Sequence, residues 1–317
     1  MGLKERSSAI FVLLRPYSLP GIFLLYYIAK VITTRKLTLS WGVLPLFIPI
    51  FLAWTFLTLL LEAEHKHSNR EKVPYSYPAV ALIFTTIFAL LFNGFVPILP
   101  LLFFIAFTYL YTKKNSIRAL GNISFFMRGL MEFTLFLFAL SLFSNVYLTM
   151  PNILFGFVIL VITSARNLIG DIRDTKVDEL TFTATFGDKS GYLVSVTLYS
   201  VGGCVLFLIS QGLIGVIFPI ILMVLLLLLI DNGHMFHRLS VLLSAIIMAA
   251  YILFVTGNDN LLILLNLLFL SIISSLVFYN LVPRKSNPQD VPTTFGFVPW
   301  SKTSNNRNIH DSKKQLK

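Results

Sequence analysis

The sequence predicts an all-α fold, a multi-pass bundle of transmembrane helices. Of the 317 residues, 56% are hydrophobic and only 12% are charged, and the mean hydropathy is +0.81. Soluble domains carry roughly 25% charged residues, so a water-soluble fold of this length could not bury so much apolar surface. Helices satisfy their own backbone hydrogen bonds in lipid, whereas open sheets do not.

Apolar runs of roughly 17–25 residues, the length that crosses the hydrocarbon core, recur along the chain. Very short polar breaks at Asn93-Gly94 and Gln211-Gly212 predict antiparallel neighbours. The apolar runs predict a transmembrane domain over 1–283. The last segment, 284–317, is rich in Ser, Asn and Lys, which predicts a polar, disordered cytoplasmic tail. The predicted spans are 9–32, 41–61, 78–94, 96–111, 121–145, 151–168, 191–211, 213–230, 239–256 and 260–282.

The positions of Lys and Arg predict the orientation of the bundle. With both termini in the cytoplasm, all 25 Lys and Arg residues fall on the cytoplasmic side except Lys30, Arg35 and Lys36 in outer loops and Arg128 inside a span. This is the positive-inside pattern. In so apolar a chain, a basic excess favours contact with anionic lipid and not with nucleic acid. We therefore expect the functional residues on the cytoplasmic face.

Three of the 14 acidic residues, Asp171, Asp174 and Asp178, fall in the stretch ARNLIGDIRDTKVDE. The spacing i, i+3, i+7 places them on one face of a helix. Carboxylates this close repel one another unless a cation lies between them, and Mg²⁺ binds to carboxylate and phosphate oxygens together. The alternative is a solvated helix end whose aspartates pair with basic neighbours: Arg166, Arg173 and Lys176.

A second acidic patch follows the second span, in LLLEAEHKHSNREKVP. Glu62 and Glu64 lie at the predicted membrane edge, before a stretch that contains Asn69, Arg70 and Lys72. The patch is either an ordinary polar loop at a helix end or the second half of an ion and phosphate site.

Arg128 and Glu132 lie four residues apart inside the fifth predicted span. Charges inside the membrane are costly and face a cavity or a partner, and an i, i+4 pair can satisfy itself. A structural ion pair and a substrate contact are both open interpretations.

Together these motifs resemble the UbiA superfamily of intramembrane prenyltransferases, which have about nine helices and aspartate-rich motifs after the second and sixth helix. GDIRDTKVD places Asp171, Asp174 and Asp178 on the family's three acidic positions. TFTATFG supplies the Thr that follows, Thr183 or Thr185, and then Phe186-Gly187. The segments RPYSLP and YTKKNSIRALGN are similar to the family's opening helix and to its Tyr/Lys loop, the latter with Tyr111, Lys113, Lys114 and Gly121-Asn122. The resemblance covers about residues 8–256 and implies nine family-like helices, to which 260–282 adds a tenth.

The first motif departs from the family pattern. Ungapped placement puts Thr58 on the family's Asn, Glu62 on the middle Asp and Lys66 on the last Asp. One carboxylate is thus retained as Glu and one is replaced by a cation. This departure motivates an alternative, a catalytically degenerate member that acts as a lipid-binding or assembly protein.

The resemblance implies Mg²⁺-dependent transfer of an isoprenoid group from its diphosphate to an aromatic or lipid-like acceptor within the bilayer. A ten-helix transporter that uses Arg128 and Glu132 is disfavoured, because no internal repeat is visible and the polar residues cluster at one membrane face. The implied catalytic residues, which would also bind metal, are Asp171, Asp174 and Asp178. Glu62 and Glu64 are the implied ligands of a second ion, and the implied substrate-binding residues are Asn69, Arg70, Lys72, Tyr111, Lys113, Lys114 and Arg173.

Overall fold

The structure, a computed structural model, describes residues 19–36, 41–64, 73–114, 116–174 and 180–210. Within these ranges every regular element is a helix, which confirms the predicted all-α class. The helices are α1 (Leu19–Thr34), α2 (Phe47–Glu64), α3 (Ser76–Asn93), α4 (Ile98–Thr112), α5 (Arg118–Asn122), α6 (Ser124–Phe143), α7 (Met150–Asp174), α8 (Phe182–Phe186) and α9 (Asp188–Ser210).

Five of the described helices, α2, α3, α6, α7 and α9, are long and apolar enough to cross a membrane, and α1 and α4 are shorter apolar helices. These seven overlap the first seven predicted spans. The predicted span 121–145 divides near Ile123 into α5 and α6. The predicted spans 213–230, 239–256 and 260–282, the tail 284–317 and the beginning of the first span lie outside the described residues.

Helix α7 continues beyond its predicted end at residue 168 to Asp174. The polar stretch NLIGDIRD, residues 167–174, covers this extension; it contains no proline and keeps apolar residues at helical spacing. Leu168, Ile169 and Ile172 are all buried, so packing of these side chains supports the helix past the apolar run. The extension places Asp171 and Asp174 on a helix and not in a loop.

The turn between α3 and α4 is as short as the Asn93-Gly94 break predicted. Gly94 has a φ of 56° and donates its backbone N–H to the Leu90 carbonyl at 3.0 Å, a conformation that glycine adopts without a steric penalty. Pro97 then precedes the first turn of α4. The Asn93 side-chain amide donates to the Ser141 carbonyl at 2.5 Å, so this turn lies beside the end of α6.

The centre of the bundle is formed by α6 and α7. Helix α7 packs against both α6 and α9, and α6 also packs against α4 and α1. Phe136 and Phe155 are fully buried and meet edge to face, with ring centroids 5.5 Å apart. Near the start of this interface, a Cβ added to Gly129 would lie 2.4 Å from the Leu160 carbonyl oxygen. The absence of a side chain at Gly129 therefore allows the two helix backbones to approach closely.

Hydroxyl groups inside the apolar helices bond within their own helix. Thr55, Thr85 and Thr134 each donate to the carbonyl four residues earlier, at 2.8 to 2.9 Å. Such bonds satisfy a polar group where no water is available. These threonines are accordingly explained by local structure alone.

Candidate functional site

Three helix ends meet at the carboxylate of Glu64, the last residue of α2. Lys113, which follows α4, places Nζ 2.8 Å from Glu64 Oε2, and Tyr75, which precedes α3, donates its hydroxyl to Oε1 at 3.0 Å. The hydrogen bond to Glu64 raises the pKa of the Lys113 ammonium, and the same carboxylate raises the pKa of the Tyr75 phenol. We call this end of the bundle the polar end. A predicted metal ligand, Glu64, thus lies in contact with a predicted diphosphate ligand, Lys113.

Two lysines at the polar end are held by aromatic rings. Lys113 Nζ lies 5.2 Å from the centroid of Tyr109, and Lys114 Nζ lies 5.3 Å from the centroid of Tyr111. Lys114 is only 7% exposed. Ring faces attract an ammonium group, so the predicted Tyr/Lys motif forms a local cluster in which each lysine has a defined position.

The C-terminal turns of α7 carry the acidic motif. Asp171 is 5% exposed, which is unusual for an aspartate, and Asp174 follows three residues later on the same helix face. The side chains of Arg173 and Asp174 and the whole of Asp178 lie outside the described residues. Within the described ranges Arg166 binds to Glu132 and not to these aspartates. It is therefore not available in the way that the alternative of a solvated helix end requires.

The two family-like segments around α5 and α8 come together in the structure. Thr185 donates its hydroxyl to Asn122 Oδ1 at 2.8 Å. A Cβ on Gly121 would lie 1.9 Å from the Leu180 carbonyl oxygen, so only glycine permits this approach. Thr181 begins α8 as its N-cap and accepts from the Ala184 backbone N–H at 3.4 Å. The segment after the acidic motif is therefore anchored to the end of α5 through Asn122.

Arg128 and Glu132 form an ion pair, one of the two interpretations that their i, i+4 spacing left open, but the pair belongs to a larger group. Arg128 Nη2 lies 3.1 Å and Arg166 Nη2 lies 2.9 Å from the same Glu132 oxygen, Oε1. Thr163 donates its hydroxyl to the other oxygen, Oε2, at 2.8 Å. We call these four residues the buried charge cluster. It joins α6 to α7, and both oxygens of its single carboxylate are occupied.

Trp54 extends the buried charge cluster to α2. The guanidinium carbon of Arg128 lies 4.8 Å from the centroid of the Trp54 ring, a cation–π distance. Trp54 Nε1 and Asn167 Nδ2 are buried and have no hydrogen-bond partner within the described part of the chain. Sequence reasoning missed Trp54, Thr163 and Asn167, although the spacing of Thr163, Asn167 and Asp171 marks one face of α7.

The oxygen donors at the end of α7 fit a hard divalent cation. Asp171 brings a carboxylate to the inside of the bundle, and Asp174 shares its helix face. Among the described residues no three His, Cys, Asp or Glu side chains converge on one point. Asp178 and the first-motif residues Lys66, Asn69, Arg70 and Lys72 lie outside the described residues, and Glu62 is partly buried two residues before Glu64.

Comparison with known proteins supports the architecture. No protein-family model and no curated protein sequence matches the chain. The chain is similar to a solved structure of a digeranylgeranylglyceryl phosphate synthase, with a TM-score of 0.61, 16% sequence identity, and coverage of 80% of this chain and 99% of that chain. At this identity the likeness shows the fold. The chain therefore shares the all-helical fold of that synthase structure.

Proposed function

We propose that the protein transfers an isoprenoid group from its diphosphate to an aromatic or lipid-like acceptor within the membrane, at its cytoplasmic face and with Mg²⁺. The observation that carries this proposal is the buried carboxylate of Asp171 at the end of α7, in a chain with the fold of a membrane prenyltransferase. A carboxylate oxygen at the inside of the bundle is the kind of ligand that Mg²⁺ prefers, and Mg²⁺ is commonly bound by carboxylates together with substrate phosphates.

The acidic residues would hold the metal and the basic residues the diphosphate. Asp171, Asp174, Asp178 and Glu62 are the metal ligands in this proposal, and Mg²⁺ held by them would supply positive charge to the diphosphate group. Glu64 positions the Lys113 ammonium, to which it is bonded at 2.8 Å. The remaining diphosphate ligands are Asn69, Arg70, Lys72, Tyr111, Lys114 and Arg173.

The interior between α6 and α7 supports the proposed chemistry because it excludes water. Cleavage of the carbon–oxygen bond of an allylic diphosphate produces a carbocation that water would capture. Phe136 and Phe155 are fully buried there, and Phe155 lies about 24 Å along α7 from Asp171, at the depth of an isoprenoid tail and not of the reacting carbon. The isoprenoid chain would lie among such apolar side chains.

A lipid-binding or assembly role without catalysis is the second candidate function. The observation that favours it is the state of Glu64, whose two oxygens are bonded to Lys113 and Tyr75. Because Glu64 is bonded to Lys113 and Tyr75, and because Lys66 replaces an acidic residue of the first motif, that motif has less negative charge with which to bind a second ion.

One experiment separates the two functions. The purified protein in nanodiscs is incubated with labelled geranylgeranyl diphosphate, Mg²⁺ and a panel of aromatic and lipid-like acceptors, and pyrophosphate release is measured. We expect release that requires Mg²⁺ and that falls on the order of a hundredfold or more in Asp174→Asn, since one metal ligand supplies several kcal/mol of transition-state stabilisation.

The matched control is Asp259→Asn, which makes the same charge change in a loop that the sequence places on the opposite membrane face. It should keep wild-type activity. Binding of the diphosphate with no release under any condition would refute the catalytic proposal and support the lipid-binding role. Equal loss in both variants would show that the effect is not specific to the acidic motif.

A further inference from the structure

The hydroxyl of Tyr75 is bonded to a carboxylate that is itself bonded to a lysine. Tyr75 donates to Glu64 Oε1 at 3.0 Å, and Lys113 Nζ lies 2.8 Å from Glu64 Oε2. Tyr75 precedes α3, Glu64 ends α2 and Lys113 follows α4. Glu64 is 11 positions from Tyr75 and 49 positions from Lys113, so these contacts depend on how the three helix ends meet.

Of the two neighbouring lysines at the polar end, Lys113 is the more accessible. Its side chain keeps 27% of its surface exposed, whereas Lys114 is 7% exposed. An ammonium group has three N–H donors. One is directed to Glu64, and the ring of Tyr109, with its centroid 5.2 Å from Nζ, lies against another side of the group. The ammonium therefore retains a donor for an oxygen atom of an incoming diphosphate.

The bond from Tyr75 fixes the direction of the Glu64 carboxylate. Glutamate and lysine side chains are long and flexible, so neither holds one position by itself. Because Tyr75 occupies Oε1, the other oxygen of Glu64 faces Lys113. The hydroxyl adds no charge to the ion pair and acts on its geometry alone. A binding group whose rotamer is fixed in this way by a neighbouring hydrogen bond loses less entropy when the ligand arrives.

We infer that Tyr75 is a positioning residue for the donor diphosphate: it orients Glu64, and Glu64 holds Lys113 where the diphosphate binds. This inference rests on the proposed function, in which Lys113 is a diphosphate ligand. It adds a residue that lies outside the acidic motifs and the Tyr/Lys motif of the sequence. It also gives Glu64 a role that uses both of its oxygens, so that this carboxylate acts on the diphosphate through Lys113 and not through a metal ion.

The variant that tests this inference is Tyr75→Phe, because it removes one hydroxyl group and leaves every charge in place. The full chain in phosphatidylcholine nanodiscs with Mg²⁺ is titrated with geranylgeranyl thiodiphosphate, a slowly reacting analogue of the donor. We expect Tyr75→Phe to weaken binding about three- to tenfold, the usual net effect of one hydrogen bond. The matched control is Tyr77→Phe, because Tyr77 is 56% exposed and Tyr75 is 58% exposed. It should bind the analogue as the wild type does.

A double-mutant cycle shows whether Tyr75 acts through Lys113. Lys113→Met removes the ammonium group and keeps an unbranched side chain. We expect Tyr75→Phe to weaken binding in the wild-type background and to have no further effect in the Lys113→Met background. A tyrosine that only stabilises the helix ends would weaken binding by the same factor in both backgrounds. In the pyrophosphate-release assay, Tyr75→Phe should raise the KM of the donor and leave the KM of the acceptor unchanged. If Lys113→Met does not fold, the contrast between Tyr75→Phe and Tyr77→Phe still decides.

Unchanged binding in Tyr75→Phe, or an equal loss in the Lys113→Met background, would overturn the inference. Tighter binding in Tyr75→Phe would also overturn it, because the released Glu64 carboxylate would then bind the metal. If the wild type binds the analogue with the expected dependence on Tyr75 but releases no pyrophosphate, the inference stands and the catalytic proposal fails. Pyrophosphate release that is insensitive to Tyr75→Phe gives the reverse result, and a wild type that does not bind the analogue would overturn both.

Discussion

Replacement of Gly129 by alanine should force α6 and α7 apart. The added Cβ would lie 2.1 Å from Ser164 Oγ and 2.4 Å from the Leu160 carbonyl oxygen, whereas ordinary contacts begin at 3.4 Å. The Ser164 hydroxyl can rotate, but the Leu160 carbonyl belongs to the backbone of α7. Relief of the second contact therefore needs a shift of about 1 Å between two helix backbones, the kind of overpacking that costs about 1–3 kcal/mol.

Two effects of the substitution oppose each other. Alanine is favoured over glycine inside a helix by about 1 kcal/mol, which reduces the net loss to about 0–2 kcal/mol. We expect the thermal midpoint of the purified protein to fall by up to roughly 6 °C. Because Glu132 lies one turn after Gly129, the shift should also stretch its 2.8 Å bond to Thr163. Thermal unfolding followed by intrinsic fluorescence measures the loss of stability.

The matched control is Gly21→Ala, because a Cβ on Gly21 meets nothing within 4 Å. It should leave the thermal midpoint unchanged or slightly raised. Ser164→Ala in the Gly129→Ala background removes only the hydroxyl contact, so we expect partial rescue at most. Full rescue by Ser164→Ala, or a Gly129→Ala midpoint equal to that of Gly21→Ala, would refute the backbone clash.

Three further predictions follow from contacts described above. Glu132→Ala should destabilise the protein by about 3 kcal/mol, since it leaves two guanidinium groups without their carboxylate; a thermal midpoint within error of wild type would contradict this. Thr185→Val should lower the free energy of unfolding by about 1 kcal/mol through loss of its hydrogen bond to Asn122, measured by thermal unfolding. If Thr185→Val lowers stability equally in an Asn122→Ala background, the bond contributes nothing. The Lys113 pKa is raised by its hydrogen bond to Glu64, so the stability that this pair contributes is present below the ordinary lysine pKa and is lost as pH rises through the raised value. The stability difference between wild type and Glu64→Gln should therefore narrow at strongly alkaline pH, and a difference that widens there would reverse the sign of the linkage.

The helices could be predicted from the sequence because hydrophobic run length is a local property. Each described long helix overlaps a predicted span, since the bilayer requires about 20 apolar residues in sequence. The residues at which helices end are less predictable from the sequence. Polarity ends the predicted span at residue 168, yet Leu168, Ile169 and Ile172 pack inside and continue α7 to Asp174. Packing against neighbouring helices determines where α7 ends, and this packing cannot be predicted from the pattern of polar residues alone.

The candidate site was predictable where its residues are neighbours in sequence. The Arg128–Glu132 pair follows from i, i+4 spacing. Its second arginine, Arg166, lies 34 positions from Glu132, and the partners Glu64 and Lys113 are 49 positions apart. Such contacts depend on which helix faces meet and at what height, so neither composition nor periodicity could have predicted them.

The hydrogen bond between Tyr75 and Glu64 joins two residues eleven positions apart in the chain, with Lys113 attached to the same carboxylate. The helices on either side already hold the two ends of the intervening segment close together. The entropy of closing a loop rises only by about 0.6 kcal/mol for each doubling of its length. A change in the number of residues between Glu64 and Tyr75 should therefore cost the helical frame little stability.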